Sequence, residues 1–297
     1  MAESSSIIEA ELMIISSTML TKYLLFPYRQ PDKSALNRYL QNKTILITGA
    51  SYGIGETVAE MLADYPVRLI LVARTAEKLQ QIQQRLASRS SDCHVIPCDL
   101  TSEEQCSWLL NQLQQFGNID IFINNAGKSI CRPLLNSLDR LHDFQRTMRL
   151  NYLAPVQLCL SLIPQLEKTQ GQIINISALN VLLAPTPYWA AYQASKTAFD
   201  QWLRCAEPEL KQAKIAVCSI YFPLVKTRMI APVYADKPVP ALSVEQAAEI
   251  ICRALYTRKP CIRPWWTMLA QVASVIFHRL WTACCGYYLT VKRKSDE

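Results

Sequence analysis

The chain has 297 residues, 50% of them hydrophobic and 19% charged, with a formal net charge of +7. Such a chain can bury one large α/β core or two small ones, and its composition is globular rather than disordered. The basic residues are scattered without an arginine-rich stripe, which argues against nucleic acid; the mild positive balance suits an anionic cofactor, an anionic acyl carrier or an acidic lipid surface.

The first residues, Met1 to Glu11, are acidic ahead of any apolar run, so no secretory signal is expected. Residues 12 to 28 are apolar but interrupted by Ser16, Ser17, Thr18, Thr21 and Lys22. The run falls short of the ~20 residues of a membrane span. It reads as a helix that packs on the domain or lies on a membrane face. Thr44 to Thr48 is rich in β-branched and aliphatic residues and reads as a strand buried on both faces. Gly49, Gly53 and Gly55 follow, and Glu56 to Ala63 has helical periodicity. Strand, glycine turn and helix is the setting in which backbone can approach a pyrophosphate. The chain has only 7 glycines, against an average usage of ~7%, and three sit in this turn.

Thr48-Gly49-Ala50-Ser51-Tyr52-Gly53-Ile54-Gly55 resembles the cofactor loop of the short-chain dehydrogenase/reductase family. The resemblance implies that Gly49, Ser51, Tyr52, Gly53, Ile54 and Gly55 hold a dinucleotide. Arg68 to Ala73 reads as a second strand, followed directly by Arg74. In a dinucleotide fold this strand end meets the adenosine ribose, and an arginine there accommodates a 2′-phosphate. NADP(H) is therefore the expected cofactor. Residues 75 to 90 read as a polar helix and Val95 to Leu100 as a third strand. The resemblance implies that Asp99 bonds the adenine amine, with Leu100 beside it. Glu103 to Phe116 reads as a helix and Ile119 to Ile123 as a fourth strand, ending in Asn124-Asn125-Ala126-Gly127. This is the family's second motif, and it implies that Asn125, Ala126 and Gly127 contact the cofactor. Alternating strands and helices imply a parallel, doubly wound α/β sheet of Rossmann type.

A long helix is expected from Leu141, with Asn151 inside it. Asparagine is a poor helix-interior residue, and in the family an Asn here breaks the helix and holds a water near the catalytic lysine. Pro155 and Pro164 predict further kinking. Gln172 to Ser177 reads as the fifth strand, and Tyr192 and Lys196 share a helix face at i, i+4. A phenol titrates near ~10, and an adjacent ammonium should lower that value. Tyr192 and Lys196 thus make an acid–base pair. The family usually has a second small polar residue where this chain has Ala178. Ser177, Asn180 or a backbone group could orient the substrate carbonyl instead.

Val217 to Phe222 reads as the sixth strand. Pro223-Leu-Val-Lys-Thr-Arg-Met-Ile-Ala-Pro232 departs from the common family pattern and resembles the bacterial fatty acyl-CoA reductases of the superfamily. Val225 and Thr227 would then contact the nicotinamide carboxamide and phosphates. Residues 264 to 277 and 280 to 291 are two apolar pieces, each too short to span a bilayer, ahead of Lys292-Arg293-Lys294. They suit an interfacial helix or packing against protein. The 11 cysteines include no C-x-x-C pair and the three histidines lie far apart, so no metal is expected and most cysteines read as buried small hydrophobes in a reducing compartment.

The resulting expectation has three parts: an N-terminal extension (1–41), a Rossmann domain (42–257) and an amphipathic tail (258–297). Ser177, Tyr192, Lys196 and Asn151 are its catalytic residues. The protein is expected to be a cytoplasmic homo-oligomer whose tail either contacts a membrane peripherally or packs against protein, and the resemblance implies reduction of a lipid-like substrate, fatty acyl-CoA in the first instance. A 3-oxoacyl or hydroxysteroid ketone reductase and an NADPH-binding module without turnover are the alternatives.

Overall fold

The computed structural model describes residue 26 and residues 28–89, 92–234 and 239–296, with side chains as far as Val291. The helix expected over residues 12 to 28 therefore lies outside the described residues, apart from Phe26 and Tyr28. The strands are β1 (Lys43–Thr48), β2 (Val67–Ala73), β3 (Cys93–Pro97), β4 (Ile121–Asn124), β5 (Gln172–Ala178), β6 (Ala216–Phe222) and β7 (Cys261–Ile262). They form one sheet in the order β3-β2-β1-β4-β5-β6-β7, and every pairing is parallel.

The helices between them are α1 (Lys33–Leu40), α2 (Gly53–Leu62), α3 (Ala76–Leu86), α4 (Glu103–Leu113), α5 (Leu141–Met148), α6 (Ala154–Thr169), α7 (Ala190–Gln212), α8 (Ala231–Tyr234) and α9 (Val244–Thr257). After β7 come α10 (Thr267–Ile276) and α11 (His278–Asp296). The core has a cluster on each face of the sheet. Ile45, Ile47, Leu69 and Leu71 belong to one, and Leu46, Ile70 and Val72 to the other. This is the period of two of a strand covered on both sides. It explains why β1 and β2 read as unbroken apolar runs rather than alternating ones.

Three differences from the sequence reading bear on the site and the sheet. β3 stops at Pro97, so Asp99 and Leu100 lie in the turn beyond it. There the Asp99 carboxylate accepts bonds from the backbone N–H and hydroxyl of Thr101. β7 adds two residues of the tail stretch to the sheet edge, and it is too short to have a readable pattern. The long helix is interrupted at Asn151, as the resemblance implied, but it is not broken at its prolines. Arg149–Leu153 is π-helical, while Pro155 opens α6 and Pro164 sits inside it without ending it.

The chain runs from β1 outward to β3, then returns to place β4 on the other side of β1. The loops after β1 and β4 diverge at this switch point and leave a crevice at the carboxyl ends of the strands.

Candidate active site

A cavity of about 1190 Å³ opens at that crevice. Gly49, Ser51, Tyr52, Gly53 and Ile54 reach it from the loop after β1, and Asn125, Ala126 and Gly127 from the loop after β4. Ser177 comes from the end of β5, Tyr192 and Lys196 from the first turns of α7, and Val225 and Thr227 from the loop after β6. Arg74, Asp99 and Leu100 stand away from the cavity wall, at the ends of β2 and β3; Arg74 is exposed.

The floor is built by close approach. A Cβ on Gly55 would lie 2.4 Å from the Gly49 carbonyl oxygen and 2.5 Å from Asn125 Nδ2. Gly55 is off the cavity wall; it lets α2 press against β1. The helix begins behind Tyr52 with no side-chain cap, so its first N–H groups face the cavity mouth. Asn125 acts structurally. Its Nδ2 donates to the carbonyls of Thr48 and Gly49 at 3.0 and 3.1 Å. The backbone N–H groups of Asn125 and Ala126 donate to the Thr48 hydroxyl. Glycine floor, bare helix start and clamped second loop fit a dinucleotide pyrophosphate.

Tyr192 and Lys196 lie deeper. Lys196 is buried and donates from Nζ to the Ile176 carbonyl at 3.0 Å. A side chain on Gly127 would place its Cβ 3.3 Å from that Nζ. Asn151 is 1% exposed. Its Oδ1 accepts from the Lys128 N–H and its Nδ2 donates to the Lys128 carbonyl, both at 2.9 Å. Nδ2 also donates to the Ser195 hydroxyl, which in turn donates to the Tyr192 carbonyl. The π-helical turn thus tethers both the second loop and the start of α7.

Burial dominates the electrostatics. It pushes the Tyr192 phenol up to about 12 and the Lys196 ammonium down to about 8. This corrects the expected lowering of Tyr192. Burial raises the phenol and lowers the ammonium alike, because each loses the water that would stabilise its charged form. At neutral pH Tyr192 keeps its proton and can act as an acid.

A family model described as short chain dehydrogenase matches residues 43–238. The chain belongs to the short-chain dehydrogenase family. It is 43% identical over 240 residues to a fatty acyl-CoA reductase of Acinetobacter baylyi, covering 80% of each chain. It is 40% identical over 227 residues to one of Mycobacterium tuberculosis, covering 76% of this chain and 77% of that one. Among solved structures it is similar to a short-chain dehydrogenase of Sphingobium yanoikuyae in complex with NADPH, with TM-score 0.70 and 25% identity over 82% of this chain and 95% of that one.

In this short-chain dehydrogenase the cavity also has walls that motif reading missed. Arg228 lies over the Tyr52 ring, 3.6 Å from its centroid. Trp189 meets Tyr192 edge to face at 5.9 Å and stacks on Tyr234. Ser195 carries no motif of its own and is found only through its contact with Asn151. Asn180 lines the cavity, and its buried Oδ1 has no hydrogen-bond partner among the described residues. Asn180 and Ser177 thus both offer a polar group beside Ala178.

Proposed function

We propose that this oxidoreductase uses NADPH to reduce the carbonyl of a fatty acyl-CoA, giving the aldehyde and free thiol. The observation that carries the reading is Tyr192 and Lys196 together on the wall of a cavity that continues past them along Leu183, Met229, Trp266, Phe277 and Leu280. Ligand pockets run to roughly 300–1,000 Å³, and this one, at about 1190 Å³, has room for a dinucleotide and an apolar chain together. The names of the A. baylyi and M. tuberculosis relatives support the thioester; the NADPH-bound neighbour supports the cofactor.

The loops after β1 and β4 hold NADPH, with Arg74 at its 2′-phosphate and Asp99 toward its adenine. The chemistry NADPH supplies when bound is hydride donation. Tyr192 gives its proton to the carbonyl oxygen as charge develops there; the C–S bond of the resulting thiohemiacetal then breaks, its O–H proton passing to the leaving sulfur, which gives the aldehyde and the free thiol. Lys196 orients the nicotinamide ribose. Asn151 fixes the loop and helix between which the proton is relayed. Ser177 or Asn180 steadies the oxyanion. Val225 and Thr227 lie by the nicotinamide carboxamide and phosphates. The same reading takes the protein as a cytoplasmic homo-oligomer with its tail in peripheral contact with membrane.

Purified protein with NADPH and palmitoyl-CoA should lose absorbance at the nicotinamide band. Tyr192→Phe should abolish the loss while NADPH still binds. Consumption with ketones only would replace the thioester by a keto substrate. Binding without consumption across acyl, keto and aldehyde substrates would leave a module without turnover. Arg74→Asp should shift the preference from NADPH toward NADH; an unchanged preference refutes its assignment to the 2′-phosphate.

A further inference from the structure

We propose that α10 and α11 form a membrane-docking element that seats the protein on an anionic phospholipid bilayer and lets an acyl chain pass from the bilayer into the cavity. This rests on the reading above only for the chain's identity; the docking stands on the surface itself.

The two helices present two apolar faces. Trp266, Ala270, Ala273, Ser274 and Phe277 recur at helical spacing and line the cavity. Away from that stripe lie Trp265, Met268, Leu269, Val272, Val275 and Ile276, each 59 to 71% exposed. A helix covering a soluble domain is polar on its outer side. Here the whole of α10, Thr267–Ile276, carries no charged residue. An apolar outer face of this extent marks a surface that is covered.

The corner between the helices is where the cavity meets the outside. Phe277, Leu280 and Trp281 line the cavity and are also 57, 63 and 41% exposed. The pair is pinned there, since Trp281 Nε1 donates to the Pro185 carbonyl at 2.7 Å.

The occupant follows from length and charge. Among the described residues no single helix is long and apolar enough to cross a membrane; the pair passes that test only together and is bent by 87°. Straightening it into a span would pull the inner stripe out of the cavity wall. The pair therefore lies along an interface. Arg279 is exposed at the corner, Tyr287 and Tyr288 are exposed further on, and Lys292-Arg293-Lys294 follows. Aromatic and basic residues beside an apolar face match an anionic headgroup layer. Phe26 packs on Phe222, which lines the same cavity, at 5.9 Å.

The test is flotation of the full chain with vesicles of phosphatidylcholine, with and without phosphatidylglycerol. The wild type should float with the phosphatidylglycerol vesicles and bind less as salt rises. The double variant Leu269→Glu, Val275→Glu, outside the cavity wall, should bind about tenfold less or weaker. It should keep its turnover of a water-soluble short-chain acyl-CoA and lose turnover of a long-chain one presented in vesicles. Equal flotation of variant and wild type overturns the proposal. So does a wild type that ignores vesicles, whether a second copy or the N-terminal segment covers the face; gel filtration of the variant separates those two. If neither protein reduces any acyl-CoA, the reductase reading falls, and flotation still decides the docking.

Discussion

At the scale of residues, the site depends on desolvation. Lys196 titrates at about 8 because burial disfavours its charge, and Tyr192 at about 12 because burial disfavours the phenolate. Lys196 is an ammonium below about 8 and neutral above it. Reduction that needs the ammonium should thus be flat near neutral pH and fall about tenfold per unit at higher pH. The value of kcat/KM for NADPH reports the free enzyme and is the quantity to follow; a flat profile from pH ~7 to ~10 would show that the charge is not needed. Motif spacing placed Tyr192 and Lys196 on one helix face, but it could not give their pKa values. Those depend on what closes over them, and the Ile176 carbonyl that Lys196 meets comes from β5, 20 residues back in the chain.

At the scale of elements, the interruption at Asn151 joins three parts. Its side chain bonds Lys128 of the second loop twice and Ser195 of α7 once. Asn151→Ala leaves the partly buried N–H and carbonyl of Lys128 without their partner, which should destabilise the fold by about 1 kcal/mol or more. It should also slow turnover more than it weakens NADPH binding. A urea midpoint and kcat both equal to wild type would refute this. The Asn was visible in the sequence as a poor helix former, so the site of the break was legible. Its π-helical form was not, because the form answers contacts 23 and 44 residues away in the chain. The prolines misled for the converse reason: Pro155 falls in the first turn of α6, where no N–H is needed.

At the scale of the molecule, charge is held where the fold can answer it. Arg132, Arg140 and Arg146 converge on the buried carboxylate of Asp143 at the start of α5. Burial raises its pKa, but the hydrogen bonds from Arg140 and Arg132 outweigh that and hold it at about 2, below the ordinary 3.8. A depressed carboxyl contributes stability that is complete above 3.8 and lost as pH falls toward 2. Thermal melts across that window should drop more steeply for the wild type than for Asp143→Asn; parallel curves would refute the role. The sequence by itself determined the parallel sheet, the glycine loop after β1 and the helix that carries Tyr192 and Lys196, because apolar runs, glycines and i, i+4 spacing are local signals. Only the tertiary structure decided which groups face one another. The direction of the Tyr192 shift, the unpaired oxygen of Asn180 and the two-faced helix pair at the cavity mouth arise from segments far apart in the chain, and burial and contact there are properties of the packed whole.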